Sequence, residues 1–331
     1  MTRFSVTIVL TALLELNAMS AQTHPLLLVA NQGDRTLSII DTAAGAQIAA
    51  VPEGDVTGHE VIASRDGRTA FVPIYGSAGV GKPGTDGSKM VAIDIASHKV
   101  TNTLDFGHGV RPHCPILGPD GMLYVTTELD QTITIINPKT LKIVGSIPTG
   151  QPESHMLAIS HDGRRGYTAN VGPGTVSVLD IKARKQIAVI PISKTTQRIS
   201  ISHDDKMVFT SDQVTPQLAV IDTATNKIKA WVPLPAAGYG TASTKDGRWL
   251  LVAVQKLNQV AVVDLSAMKV TRTIEVPRAP QEIVITPDGH TAYVSCNASA
   301  KVAAIDLESW KVTKLIDAGK GADGLALAVA K

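Results

Sequence analysis

A chain of 331 residues with 44% apolar and 18% charged side chains has ordinary globular composition, sufficient for two domains or one large all-β domain. Its formal net charge is +2, with both signs scattered and no basic run longer than Arg164-Arg165, which excludes a nucleic-acid footprint or an anionic-membrane surface. No internal stretch approaches the length of a transmembrane helix, and two cysteines, Cys114 and Cys296, exclude a disulfide scaffold.

The N-terminus opens with Arg3, an apolar run from Phe4 to Leu14, and small residues at Ala18-Met19-Ser20-Ala21. That order reads as a signal peptide over 1–21, cleaved on export. It leaves 22–331 as one periplasmic or secreted domain with no membrane-spanning segment. No C-x-x-C-H occurs, so no c-type haem is expected. The two thiols fall in separate repeats and are expected to be free.

From residue 26 onward the chain repeats. An apolar pair followed by Asp or Asn recurs with its acidic or amide residue at Asp41, Asp94, Asn137, Asp180, Asp222, Asp264 and Asp306, at steps of 53, 43, 43, 42, 42 and 42. In phase run Asp66-Gly67, Asp120-Gly121, Asp162-Gly163, Asp246-Gly247 and Asp288-Gly289, with Asp204-Asp205 as the variant copy. Asp-Gly between apolar runs signals a hairpin, because Gly takes positive φ freely and Asp bonds nearby backbone. Each repeat therefore reads as four short strands, and seven such repeats predict an all-β seven-bladed propeller with four antiparallel strands per blade. Leu26–Ala30 begins at a second strand, and 324–329 looks like a lone first one. One blade is thus expected to be closed by strands from both termini, which removes the open edge.

The second repeat is longer than the others. Its extra residues form a glycine-rich loop at about 75–89, containing Tyr75 and Lys82, predicted between the second and third strands as a lid candidate. Gly76-x-x-x-x-Gly81-Lys82 resembles a phosphate loop, but Pro83 stands where Ser or Thr would hold Mg²⁺ and no helix follows, so no nucleotide is expected.

Propeller inner strands start at one mouth of the central channel. Seven residues before each turn marker stand His59, His113, His155, Gln197, Tyr239 and Gln281, and Asp323 continues the step. Three imidazoles and a carboxylate on consecutive blades are a ligand set for Zn, Cu, Fe or Mn, so His59, His113, His155 and Asp323 are predicted to bind a divalent metal. Gln197, Tyr239 and Gln281 complete a ring expected to hold a small molecule, with Arg111 and Arg198 beside it. Eight residues after the markers, Glu128 and Asp212 are candidates for a general base or for orienting a metal-bound imidazole.

Leu123-Tyr124-Val125-Thr126-Thr127, Thr291-Ala292-Tyr293-Val294-Ser295 and the run at 220–226 resemble YVTN-type propeller repeats over the whole chain after the signal. By architecture the chain is also similar to lactonase-type propellers and to the haem d1 domain of cytochrome cd1 nitrite reductase. The latter carries eight blades and a c-type cytochrome, whereas this sequence has seven repeats and no such cytochrome. Two functions follow. One is a metal- or cofactor-binding propeller acting on a small molecule by hydrolysis or redox chemistry. The other is a non-catalytic scaffold for a periplasmic protein, peptide or glycan.

Overall fold

The computed structural model describes residues 24–329 except 55 and 78, so the expected signal segment lies outside the described residues. Twenty-eight strands form seven separate four-stranded antiparallel sheets. Blade 1 takes its innermost strand, Ala322–Ala328, from the C-terminus and its other three from Leu26 to Pro52; Leu26 pairs with Ala328. Blades 2 to 7 then follow in chain order, each running from its inner strand outward. The closure expected from the two chain ends is observed.

Turn chemistry explains the repeat. The recurrent acid caps the turn between third and fourth strands, as when Asp41 Oδ1 accepts the Ala43 and Ala44 amides at 2.8 and 3.0 Å. At the Asp-Gly markers other than Asp120 a hydroxyl two residues earlier donates to the acid, as Ser160 does to Asp162 at 2.7 Å. Asp204 performs that task in the variant copy, and Asp205 takes the glycine's place at φ 60°, close to the 71° of Gly67. Asp tolerates this left-handed conformation better than most residues.

Second and third strands are buried over nearly their full length, whereas outer strands such as Lys99–Asp105 are largely exposed. The apolar core lies between blades: one cluster joins Tyr124, Tyr167, Val178 and Val208 across three of them. Burying each large aliphatic side chain contributes about 1.5–3 kcal/mol. This face-to-face stacking holds sheets that share no hydrogen-bonded ladder. Among the described residues no helix is long and apolar enough to cross a membrane.

Candidate functional site

The inner strands are interrupted where the polar column stands. Their pairing with the second strand shifts register between Pro112 and Pro115, Ser154 and Met156, Thr196 and Ile199, and Pro280 and Ile283. A bulge leaves backbone groups without ladder partners and re-aims adjacent side chains. Hydroxyls supply the missing partners: Thr126 Oγ1 accepts the Cys114 amide at 2.8 Å, and Thr210 Oγ1 donates to the Arg198 carbonyl at 2.7 Å. Side chains of the column, and of residues directly after it such as Arg198 and Glu282, gather in two sets.

The first set forms an aromatic cluster. His113 and His155 stack at 3.6 Å between ring centroids, and His59 meets His113 edge-on at 5.5 Å. Tyr75, fully buried at the start of the glycine-rich loop, touches all three rings at 4.7 to 5.6 Å. Tyr75 Oη donates to Glu128 Oε2 at 2.9 Å, and the same oxygen lies 3.0 Å from His155 Nδ1. Glu128 thus orients His155 and directs its other ring nitrogen elsewhere. Burial, then the charges of His155 and Arg198, push His59 down to about 3. Burial also drives His113 well below the ordinary imidazole value, so both rings are neutral near pH 7. His113 Nδ1 and Glu128 Oε1 are buried without a hydrogen-bond partner.

Arg111 ties this cluster to the loop. Its guanidinium bonds Asp86 at 2.6 Å and the Lys82 carbonyl at 2.8 Å, and stands 3.7 Å from Glu128. The contact with Lys82 is through backbone; the Lys82 side chain is exposed.

The second set fills the channel. Arg198 reaches Glu60, Glu282 at 2.7 Å and Asp323 at 2.8 Å, and lies 4.8 Å over the Tyr239 ring. Asp323 also accepts from Gln32. Burial alone would lower the Arg198 pKa, but Glu60, Tyr239, Glu282 and Asp323 together hold it well above its ordinary value. Burial raises Glu60, Glu282 and Asp323 even against that guanidinium.

The predicted residues therefore divide. His59, His113, His155, Tyr75, Glu128 and Arg111 come together, while Asp323, Arg198 and Tyr239 belong to the channel network. Gln197 and Gln281 are half-buried, and Gln281 bonds Gln255 at 2.7 Å. Asp212 caps its own turn, accepting the Val214 and Thr215 amides; those bonds outweigh burial and keep its carboxyl low. Among the described residues no group of three His, Cys, Asp or Glu side chains is placed to hold a metal. Both arginines, read from sequence as flanking the ring, are buried, at 6% and 3% exposure. Sequence reasoning missed Glu60 and Glu282. Their signal was present one residue past the column, where Glu60, Arg198 and Glu282 interrupt strands otherwise expected to turn that side away.

A family model described as the cytochrome D1 heme domain matches residues 117–329, more than half of the chain. The chain belongs to that family. No curated protein matches it at a significant level. Among solved structures, the fold of this cytochrome D1 heme domain member is similar to Pseudomonas aeruginosa periplasmic gluconolactonase, at TM-score 0.73 and 17% identity, covering 93% of this chain and 99% of that one. It is similar to Kuenenia stuttgartiensis hydrazine synthase at TM-score 0.71 and 18% identity, covering 86% and 93%. It also resembles the dihydro-heme d1 dehydrogenase NirN in complex with DHE, at TM-score 0.68 and 15% identity, covering 95% and 77%. These likenesses establish the shared propeller.

The family name implies a haem, and the site permits a test of fit. A macrocycle needs a flat cavity and an imidazole with an open coordination face. Here His113 and His155 are 2% and 3% exposed and stacked on each other, and the half-open His59 has Tyr75 against it. Arg198 and its carboxylates fill the channel below. This arrangement does not fit a haem.

Proposed function

We propose that this chain is an exported ligand-binding propeller that takes a small ligand, a divalent metal ion first, at the channel mouth through His59, His113 and His155. The observation carrying the reading is the buried His113 Nδ1, which has no partner, beside a His155 whose Nδ1 is engaged by Glu128. Carboxylate–imidazole pairing of this kind recurs around bound metals, where the carboxylate fixes the ring and raises its basicity. The neutral state of His59 and His113 is the ligating state.

Asp323 is committed to Arg198 and Gln32, so the ligand set proposed is imidazole only, with remaining positions open to water or substrate. The stacked rings must turn about a soft terminal torsion before sharing one ion. Glu128 is a positioning residue in this reading, and hydrolysis and redox chemistry are both served by such a centre. Export is proposed from the N-terminal segment, and one structural relative is named as periplasmic.

Untagged protein, reconstituted in turn with Zn, Cu, Fe and Mn and then dialysed, should retain close to one equivalent of one of them by elemental analysis. His113→Ala with His155→Ala should abolish retention while leaving the melting transition. Absence of every metal from well-folded protein would overturn the metal reading.

A further inference from the structure

The face opposite the His cluster carries clefts between neighbouring blades, at blades 2/3, 3/4 and 6/7, of about 730, 580 and 740 Å³. The repeat makes each a control for the others. Trp249 stands where other blades have Thr69, Leu123, Arg165, Met207 and Thr291. Trp310 is the one indole at a left-handed turn position held elsewhere by Gly45, His98, Leu141, Arg184, Asn226 and Met268, at φ 58°. Arg272 stands where other blades have Ala49, Asn102, Gly145, Ala188, Ala230 and, in blade 7, Lys314, and is the one guanidinium of that set. All three exceptions converge on the 6/7 cleft.

There the indoles meet edge-on at 5.6 Å. Arg272 lies 5.3 Å from Trp249 and 4.8 Å from Trp310, and Arg248 lies 4.6 Å over Trp249. Both indoles pack on the core beneath, while both arginines are exposed. Neither guanidinium makes an ion pair among the described residues, although Arg248 is near enough to Asp246 and Asp264 to help keep those carboxyls low. Asp246 and Asp288 at the rim are committed to Thr244 and Thr286 and to backbone amides of their own turns. Lys245, Arg248 and Arg272 thus share the lining with three acids, Asp246, Asp288 and Glu308, but Asp246 and Asp288 are engaged by their own turns while the guanidinium forks of Arg248 and Arg272 are open among the described residues.

We infer that the 6/7 cleft docks an acidic segment of a protein partner, whose carboxylates take the forks of Arg248 and Arg272 while an apolar side chain lies against the tryptophans. Guanidinium groups stacked on indoles are pre-ordered for bidentate carboxylate binding, and Trp and Arg are among the residue types enriched where interface binding energy concentrates. A sugar platform needs a bare indole face; here guanidinium groups lie over both rings.

The chain has three tryptophans, so Trp231→Phe makes emission report this cleft. A synthetic Glu- and Asp-rich peptide containing leucine should shift that emission saturably, and more weakly as salt rises. In the same background Arg272→Ala should weaken binding by about tenfold or more. Arg272→Lys, which keeps the charge and loses the fork, should also weaken it, and stands in if the alanine variant does not fold. An equal response to a Lys-rich peptide, parent-like affinity in Arg272→Lys, or a response to oligogalacturonate but not to the peptide would each overturn the inference.

Discussion

Three acidic side chains in the channel converge on one guanidinium, and that imbalance makes Arg198 and its neighbours the most informative single residues. Arg198→Met keeps bulk but leaves Glu60, Glu282 and Asp323 buried without a cation. Removing one partner of a buried ionic network costs about 3–5 kcal/mol. Urea unfolding of Arg198→Met should show a loss of that order, and a loss under about 1 kcal/mol would mean solvent reaches these carboxylates. Glu53 offers a pH signature. Burial raises it to about 8 against one backbone bond from Gly58, and its Oε1 has no partner. The native state therefore holds a proton that the unfolded state releases near the ordinary carboxyl value of 4.5. Stability from this group is complete below pH 4.5 and falls as pH rises toward 8, by up to about 1.4 kcal/mol per pH unit. Comparing unfolding free energies of wild type and Glu53→Gln across pH 4 to 9 should show wild type losing ground over that window. Parallel profiles would show that Glu53 ionises normally.

At the scale of strands and loops, the inner strand is where sequence periodicity and structure part. Strict alternation places His113 and Arg198 on opposite sides of their strands, yet the register shifts bring side chains from both positions to the axis. Bulges leave little mark in a single strand, because the compensating partner, Thr126 or Thr210, lies on another one. The column of imidazoles was legible as spacing; the engagement of Asp323 by a side chain from blade 5 was not, because it depends on a contact across the ring. The glycine-rich loop was legible as an insertion, while the clamp of Arg111 on Asp86 that ties it to the cluster was not. A test at this scale is Gly87→Ala. Its Cβ would stand 1.7 Å from the Ile74 carbonyl oxygen, a backbone atom that cannot yield without moving Tyr75. The Gly87 carbonyl also accepts the Val110 and Arg111 amides at 2.9 and 3.0 Å. The substitution should cost about 1–3 kcal/mol as an overpacked site. Near-UV circular dichroism should change more than the far-UV spectrum, because the Tyr75 surroundings are lost while the strands remain. An unchanged near-UV spectrum would show that the loop tolerates a side chain there.

For the whole molecule, legibility rested on counting: seven copies of an Asp or Asn turn cap at nearly constant spacing fix the number of blades, because each cap serves one hairpin. Closure was readable for a related reason, since the strand missing at one end of the repeat is the strand left over at the other. Its energetic meaning can be tested by circular permutation. Ala328 pairs with Leu26, so a short Gly/Ser linker can join residue 329 to residue 24. New ends can be opened between Ser193 and Lys194, in the connection between blades 4 and 5. Every blade of that permutant is continuous in sequence, so the ring closes by side-chain packing alone, without a hydrogen-bonded strand carried from the other terminus. If strand exchange is what secures the ring, the permutant should fold with native far-UV dichroism but melt several degrees lower, since each kcal/mol lost moves the transition of a domain this large by about 1–2 °C. Its ends should also open first in native-state hydrogen exchange, at blades 4 and 5 rather than at blade 1. A permutant that melts at or above the wild-type temperature would place closure in the interblade core instead, and assign to the exchanged strand only the position of Asp323.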